Sequence, residues 1–512
     1  MRSRARPANI NAEAANLDEF YDSVRRRVAG AATDEAKQKI VVELYDKFFR
    51  NAFPSMTQRL GIVYTPVEIV DFIIRSVNDV LEDEFGSTLG SEGVHILDPF
   101  TGTGTFVTRL LQSGLIAAED LPRKYANEIH ANEIVSLAYY IAAVNIETAY
   151  HGIAGGDYKP FDGICLTDTF EMQEGDDLLA AIMPDNSGRR TRQKETDIRV
   201  IVGNPPWSRM QKSANDNAAN QEYPGLDARI GDSYAKYSSV TNKNILYDSY
   251  IRAIRWASDR IGKNGVIGFV TGSAWIERAV ADGMRRCLAE EFSSLYIFHL
   301  RGDIRKNMLS GGKAGEGENV FGQGSMTGCA ITIFVKNPEA KEHGRILFHD
   351  IGDDLDQEAK FKAIQQFGSI RGITEVNDWT RIIPDAKHDW LDQSDPKFSQ
   401  FMPIGDKKKQ DTFNEPIFEN YSLGVATNRD AWCCNFSSST LEENIRSMIN
   451  FYNSEIERFK SEQSGNSNSD INLFVNNDPG KISWSSSLLN HTCPKTDFKS
   501  IRIIPPRMRS WK

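Results

Sequence analysis

Ile198-Arg199-Val200-Ile201-Val202-Gly203 runs directly into Asn204-Pro205-Pro206-Trp207, and this stretch decides the fold. The first six residues form an apolar run of strand length and read as a buried strand. The prolines cannot continue a sheet ladder, so the strand ends at Asn204. They also leave backbone carbonyls without amide partners. With the Asn204 side-chain oxygen, those carbonyls make an acceptor-only pocket suited to an exocyclic amino group. Trp207 offers a flat face for a planar ring. An acceptor pocket beside a stacking face suits a nucleobase turned out of its stack. The bland alternative is a turn with a buried aromatic.

A second stretch favours the functional reading. Val94-His95-Ile96-Leu97-Asp98-Pro99-Phe100 reads as a strand, Thr101-Gly102-Thr103-Gly104-Thr105-Phe106 as a glycine loop, and Val107 to Leu111 as an apolar helix. Strand, glycine loop and helix make a nucleotide-type cofactor site at the carboxyl edge of a parallel sheet. Gly102 and Gly104 let the backbone approach a ligand with no Cβ in the way. Val107 stands where a dinucleotide fingerprint needs its third glycine. That fingerprint also expects an acid about 20 residues on, and the best candidate here, Glu133, lies further along. No G-x-x-x-x-G-K-[ST] segment occurs, so a phosphate-cradling loop is absent. A glycine loop with a leading acid and no phosphate device fits S-adenosylmethionine, which carries a sulfonium and an amine but no phosphate.

On these residues the chain resembles the N6-adenine DNA methyltransferases. Tyr64-Thr65-Pro66 matches the motif that, by resemblance, cradles the methionine part of the cofactor. Asp98, Pro99, Gly102, Gly104 and Phe106 fall on the family's cofactor loop. Asn127 to Glu133 looks like the second strand, with Glu133 implied as the acid that grips the ribose hydroxyls. Leu166-Thr167-Asp168-Thr169-Phe170 looks like the third strand, with Asp168 near the cofactor's adenine. Asn204, Pro205, Pro206 and Trp207 fall on the catalytic motif, and Asn204 in place of serine favours adenine over cytosine. Cofactor motifs precede the target-recognition region, as in the gamma arrangement. The resemblance implies a site-specific adenine methyltransferase acting on double-stranded DNA within a restriction–modification system.

Gly61 to Val70 and Ala138 to Glu147 narrow the resemblance to the methyltransferase part of single-chain type I (type ISP) enzymes. There a nuclease and a helicase precede a helical coupler, the methyltransferase and a target-recognition domain. The match begins at the coupler, so a separate nuclease/helicase component is an implied partner. The expected architecture is α/β: a Rossmann-like methyltransferase sheet with an N-terminal helical region and a partial C-terminal target-recognition domain. Residues 1–60 read as the coupler, 61–340 as the methyltransferase, 341–412 as a mixed connector and 413–512 as the partial domain. Asp34-Glu35-Ala36-Lys37 reads as a solvated helix face. The tail from Arg502 departs from the family's aromatic-rich continuation and reads as an abrupt stop. The chain alone is therefore expected to bind the cofactor but to methylate DNA weakly or without a defined site.

Bulk numbers agree with a cytoplasmic enzyme. A length of 512 residues suggests about three domains. Apolar content of 40% and charged content of 25% are ordinary for a globular protein. Six cysteines and eight histidines form no ligand spacing, so no metal is expected. No apolar run follows Arg2, Arg4 and Arg6, and none approaches the length of a membrane span, so neither a signal peptide nor a membrane partner is expected.

A net charge of −10 is awkward for a DNA binder, so its basic residues must act locally. Arg189, Arg190, Arg192 and Lys194 precede the catalytic strand, and Lys407 to Lys409 mark a domain junction. Such runs are more often solubilising surface, but the first gains from a place beside the catalytic edge. Helical spacing of Val41, Leu44, Tyr45, Phe48 and Phe49 marks helices over 13–60. Gly265–Val270, Leu295–Leu300 and Cys329–Val335 read as fifth, sixth and seventh strands, the last antiparallel. Residues 208–243 read as a polar loop that orders on DNA. Leu441 to Phe459 reads as an amphipathic helix. Phe321 is either a stacking partner for the base or a core aromatic. Two other functions stay open: a methyltransferase acting on RNA or protein glutamine, and a non-catalytic DNA-binding remnant.

Overall fold

The computed structural model describes residues 65–173, 183–207, 223–303, 315–322, 327–391 and 430–463, with isolated residues between 306 and 484. The helices expected over 13–60, Asp34–Lys37, Tyr64, Lys407–Lys409 and the tail from Arg502 lie outside them. The chain divides into two compact units, residues 1–211 with 220–393 and residues 212–219 with 394–512.

Nine described strands form the sheet of the first unit. They are β1 (His95–Asp98), β2 (Ile129–Glu133), β3 (Ile164–Leu166), β4 (Ile198–Gly203), β5 (Gly265–Gly272), β6 (Ser294–Arg301), β7 (Cys329–Lys336), β8 (Arg345–Asp350) and β9 (Thr380–Ile382). Their order is β3-β2-β1-β4-β5-β7-β6-β8-β9. β1 pairs parallel with both β2 and β4. The chain thus winds outward from β1 through β2 to β3, then returns to β4 on β1's other side. Such a switch point opens a crevice at the carboxyl ends of the two central strands. Asp98 and Gly203 end those strands, so the cofactor loop and Asn204 leave the sheet side by side. β7 runs antiparallel to β5 and β6, as expected.

Helices cover both faces. On one side lie α1 (Val67–Phe85), α2 (Thr105–Gln112) and α3 (Ser136–Ala154), joined by α8 (Gln357–Phe367). Ile69, Ile73, Phe106, Ile146 and Ile364 pack there with Val200, Val202 and Val266 of the sheet. On the other side lie α5 (Pro224–Ile230), α6 (Ser249–Arg260) and α7 (Asp282–Glu291), whose Leu226, Ile254 and Met284 pack with Ile201, Ile267 and Phe269. Successive residues of one strand therefore feed opposite cores, as the period of two dictates. This is why the apolar run of β4 is continuous rather than alternating.

Four expectations are adjusted. The third strand ends at Leu166, before Asp168. Asp168 Oδ1 accepts from the Phe170 amide at 2.9 Å, a turn that takes the chain out of the ladder. β8 and β9, from the stretch read as a connector, extend the same sheet. Within the 208–243 stretch read as a loop, residues 224–230 form α5, which buries Leu226 and Ile230. Finally, the basic run of 189–194 lies on α4 (Pro184–Glu195), which ends just before β4 begins. A helix leading into a parallel strand finishes at the amino edge of the sheet, so the last turn of α4 lies at the edge opposite Asn204. Arg189 donates to the Tyr139 hydroxyl at 3.0 Å, and Arg190 is buried. From the same helix Asn186 accepts from the Leu166 amide (2.8 Å) and donates to its carbonyl (3.0 Å), closing the free edge of β3.

In the second unit α9 (Ser438–Gln463) contains the amphipathic helix expected over 441–459. It buries Tyr452 and Phe459.

Candidate active site

Asn204 stands at the carboxyl end of β4 with both ends of its amide engaged. Its Nδ2 donates to Thr65 Oγ1 at 3.0 Å, and its Oδ1 accepts from the Trp207 indole at 2.7 Å. The Tyr-Thr-Pro motif and the Asn-Pro-Pro-Trp motif, far apart in sequence, thus meet in one hydrogen-bonded unit. Pro66 sits at the start of α1, where its carbonyl accepts from the amides of Ile69 (3.1 Å) and Val70 (3.2 Å). Pro205 is buried, while Asn204, Pro206 and Trp207 are half-buried. Phe321 meets Trp207 nearly edge-on, with centroids 5.0 Å apart and planes at 69°. Both rings also lean on the core.

The glycine loop begins at Asp98, which is 1% exposed. Its Oδ1 accepts from the Phe100 amide at 3.1 Å, and its buried Oδ2 has no partner among the described residues. A Cβ on Gly203 would come within 3.0 Å of that Oδ1, so the glycine lets the two strand ends approach. Thr169 Oγ1 donates to the Pro99 carbonyl at 2.6 Å. Gly102 and Gly104 both have positive φ, +56° and +88°. Phe106 packs into the core in the first turn of α2. α3 supports the loop from behind, where Asn145 Nδ2 donates to the Thr103 carbonyl at 2.9 Å. Sequence reasoning passed over Asn145. Its signal was a polar residue beside the apolar stripe of Ala142, Ile146 and Ala149.

Glu133 closes β2 and folds back on the loop. Its Oε2 accepts from the Gly102 amide (2.8 Å) and its Oε1 from the Val135 amide (2.7 Å). Burial pushes its carboxyl up to about 7 against those donors. Burial also lifts Asp98 to about 8, with a further push from the Glu133 charge and opposition from the Phe100 amide. Asp168, just past β3, accepts from the Tyr223 hydroxyl at 2.9 Å through Oδ2, and burial raises its carboxyl too. Three carboxylates therefore line the ends of β1, β2 and β3. Three clustered acids, one of them with a buried oxygen that has no partner among the described residues, fit a polar, cationic, phosphate-free ligand. Among the described residues no group of three or more metal-ligating side chains occurs, and no helix is long and apolar enough to cross a membrane.

The two glycines should differ when substituted. At Gly104 a Cβ would press within 3.2 Å of Ile146 and 3.3 Å of the Ala142 backbone, on top of a left-handed φ. At Gly102 a Cβ meets nothing within 4 Å, so only the backbone conformation costs, about 1–2 kcal/mol. Gly104→Ala should therefore lower unfolding free energy in urea by more than Gly102→Ala. Equal losses would show that α3 yields without cost.

A family model described as N-6 DNA Methylase matches residues 36–242, and one described as the type ISP C-terminal specificity domain matches residues 416–511. Among solved structures, the ATP-dependent type ISP restriction–modification enzyme LlaBIII bound to DNA is 43% identical, with a TM-score of 0.80 over 93% of this chain and 31% of that one. A nuclease-deletion mutant of the type ISP enzyme LlaGI, in complex with a DNA substrate mimic, is 43% identical with a TM-score of 0.79, over 95% of this chain and 39% of that one. The DrdV–DNA complex is 32% identical with a TM-score of 0.81, over 95% and 46%. The chain thus spans less than half the length of these three proteins.

Proposed function

Because this chain belongs to the N-6 DNA methylase family and carries a type ISP specificity domain, we propose that it is a site-specific DNA methyltransferase. It transfers a methyl group from S-adenosylmethionine to N6 of adenine in double-stranded DNA. The observation that carries this reading is the Thr65–Asn204–Trp207 unit beside the Asp98–Glu133 loop at one switch point. Its place is the cytoplasm, within a restriction–modification system whose nuclease and helicase functions lie outside the two matched domains.

The residues divide the work. Tyr64, Thr65 and Pro66 border the methionine end of the cofactor, Asp98 and the Pro99–Gly104 loop its centre, with Phe106 as the loop's anchor in the core. Glu133 accepts from the ribose hydroxyls, and Asp168 accepts from the adenine amino group. When bound, the cofactor supplies an electrophilic methyl on its sulfonium. Asn204 Oδ1 and the Pro205 carbonyl accept from the two N6 hydrogens of the target base. Those bonds draw density onto the nitrogen lone pair, which is otherwise spread into the ring. The Trp207 indole fixes the Asn204 oxygen and stacks on the base, a contact worth roughly 1–3 kcal/mol. Phe321, edge-on to Trp207, walls the same pocket. Positioning and exclusion of water supply most of the rate, and no covalent enzyme intermediate is needed.

Transfer of a tritiated methyl group to DNA, RNA and protein, assayed side by side, tests this reading. Label should appear in DNA as N6-methyladenine. Label in RNA or protein would replace the substrate, and cofactor binding without transfer to any of them would mark a binding protein.

A further inference from the structure

Tyr223 holds a position that the proposed chemistry does not use. It is 8% exposed, at the start of α5. Its ring lies edge-on to Phe170, with centroids 5.1 Å apart and planes at 72°. The Arg252 guanidinium sits 5.2 Å from the ring centroid, and Arg252 is itself fixed by two bonds of 2.9 Å to Asp227. So fixed, the hydroxyl donates to Asp168 Oδ2 at 2.9 Å while the Phe170 amide donates to Oδ1 at 2.9 Å. The two oxygens of Asp168 are thus held from two different elements, with the Glu171 amide as a further donor.

A carboxylate has about four lone-pair sites and accepts from several donors at once, so donors that fix its oxygens can act together with a ligand's amino group. A buried carboxylate without donors would take up a proton and cease to be a pure acceptor. An amino group brings two hydrogens and is matched by an ionised carboxylate. A ring carbonyl at the same position would set oxygen against oxygen. We propose that Tyr223 is a specificity-determining positioning residue for the cofactor's base: by donating to Asp168 Oδ2 it keeps that carboxylate oriented as an acceptor for a 6-amino purine and against a 6-oxo purine. This rests on the reading that Asp168 faces the cofactor's adenine.

The test compares binding of S-adenosylhomocysteine and S-inosylhomocysteine to the full chain by calorimetry. Wild-type protein should prefer the adenosyl compound by on the order of tenfold or more, the scale of one hydrogen bond to a charged group. Tyr223→Phe, which keeps the ring against Phe170 and Arg252, should cut that preference about three- to tenfold by weakening the adenosyl compound alone. In an Asp168→Asn background the same substitution should change the preference no further. Equal weakening of both compounds would make the hydroxyl a structural tie and overturn the proposal, as would an unchanged preference. A wild-type protein with no preference at all would instead remove the assignment of Asp168 to the base, and the proposal with it.

Discussion

Asn204→Ala should lower the rate of methyl transfer by on the order of 10²–10³-fold or more, the scale seen when one preorganised hydrogen-bonding group is removed from a reacting atom. Affinity for S-adenosylmethionine should stay within a few-fold. The geometry separates the two effects. Asn204 bonds to Trp207 and to Thr65 at the methionine end, whereas the glycine loop is tied to Glu133. Alanine removes the acceptor for N6 and frees the indole of its partner, so both the pocket and the stacking face lose definition. Single-turnover transfer to DNA and calorimetric titration with the cofactor read the two quantities independently. Loss of cofactor affinity equal to the loss of rate would place Asn204 in the cofactor site and sink the assignment.

What the sequence revealed depended on whether a signal was local. The β4 run and its Pro-Pro stop are consecutive residues, as are the β1 run and its glycines, and both emerge at the same sheet edge. β8 and β9 were hidden because Arg345–Asp350 is flanked by charge and Thr380–Ile382 is three residues long, too short for any period to declare itself. The basic run on α4 was placed by nearness in sequence to the catalytic strand. Topology assigns its last turn, with Arg192 and Lys194, the other edge, since a helix entering a parallel strand must first return to the amino side. Thr65–Asn204 and Tyr223–Asp168 are long-range pairs between polar residues. Nothing in either neighbourhood announces its partner. The motifs could be recognised one at a time, but their joining required coordinates.

Cofactor affinity should rise with pH between about 6 and 8, because the ribose hydroxyls need an ionised Glu133 to accept from them. Burial holds that carboxyl at about 7 in the folded protein. Below that value a proton must leave before the bonds form, at a cost of about 1.4 kcal/mol, or tenfold in affinity, per pH unit. Asp98, lifted to about 8, adds in the same direction. Glu133→Ala should weaken binding by roughly 1.5–3 kcal/mol at neutral pH, and Asp98→Ala by at least as much. Glu133→Gln should flatten the pH profile, and the difference between its profile and the wild type's removes any titration of the cofactor itself. Stability of the ligand-free protein should move the opposite way. Both carboxyls are raised above their unfolded values, so their contribution to folding is complete below the ordinary carboxylate range and is lost as pH rises through about 7 to 8. Urea unfolding and calorimetry across this window, with proton release read in buffers of different ionisation enthalpy, test both slopes together. A flat affinity profile with no proton released at pH 6 would mean that Glu133 is already ionised in the empty site. Its bonds to the Gly102 and Val135 amides would then outweigh its burial.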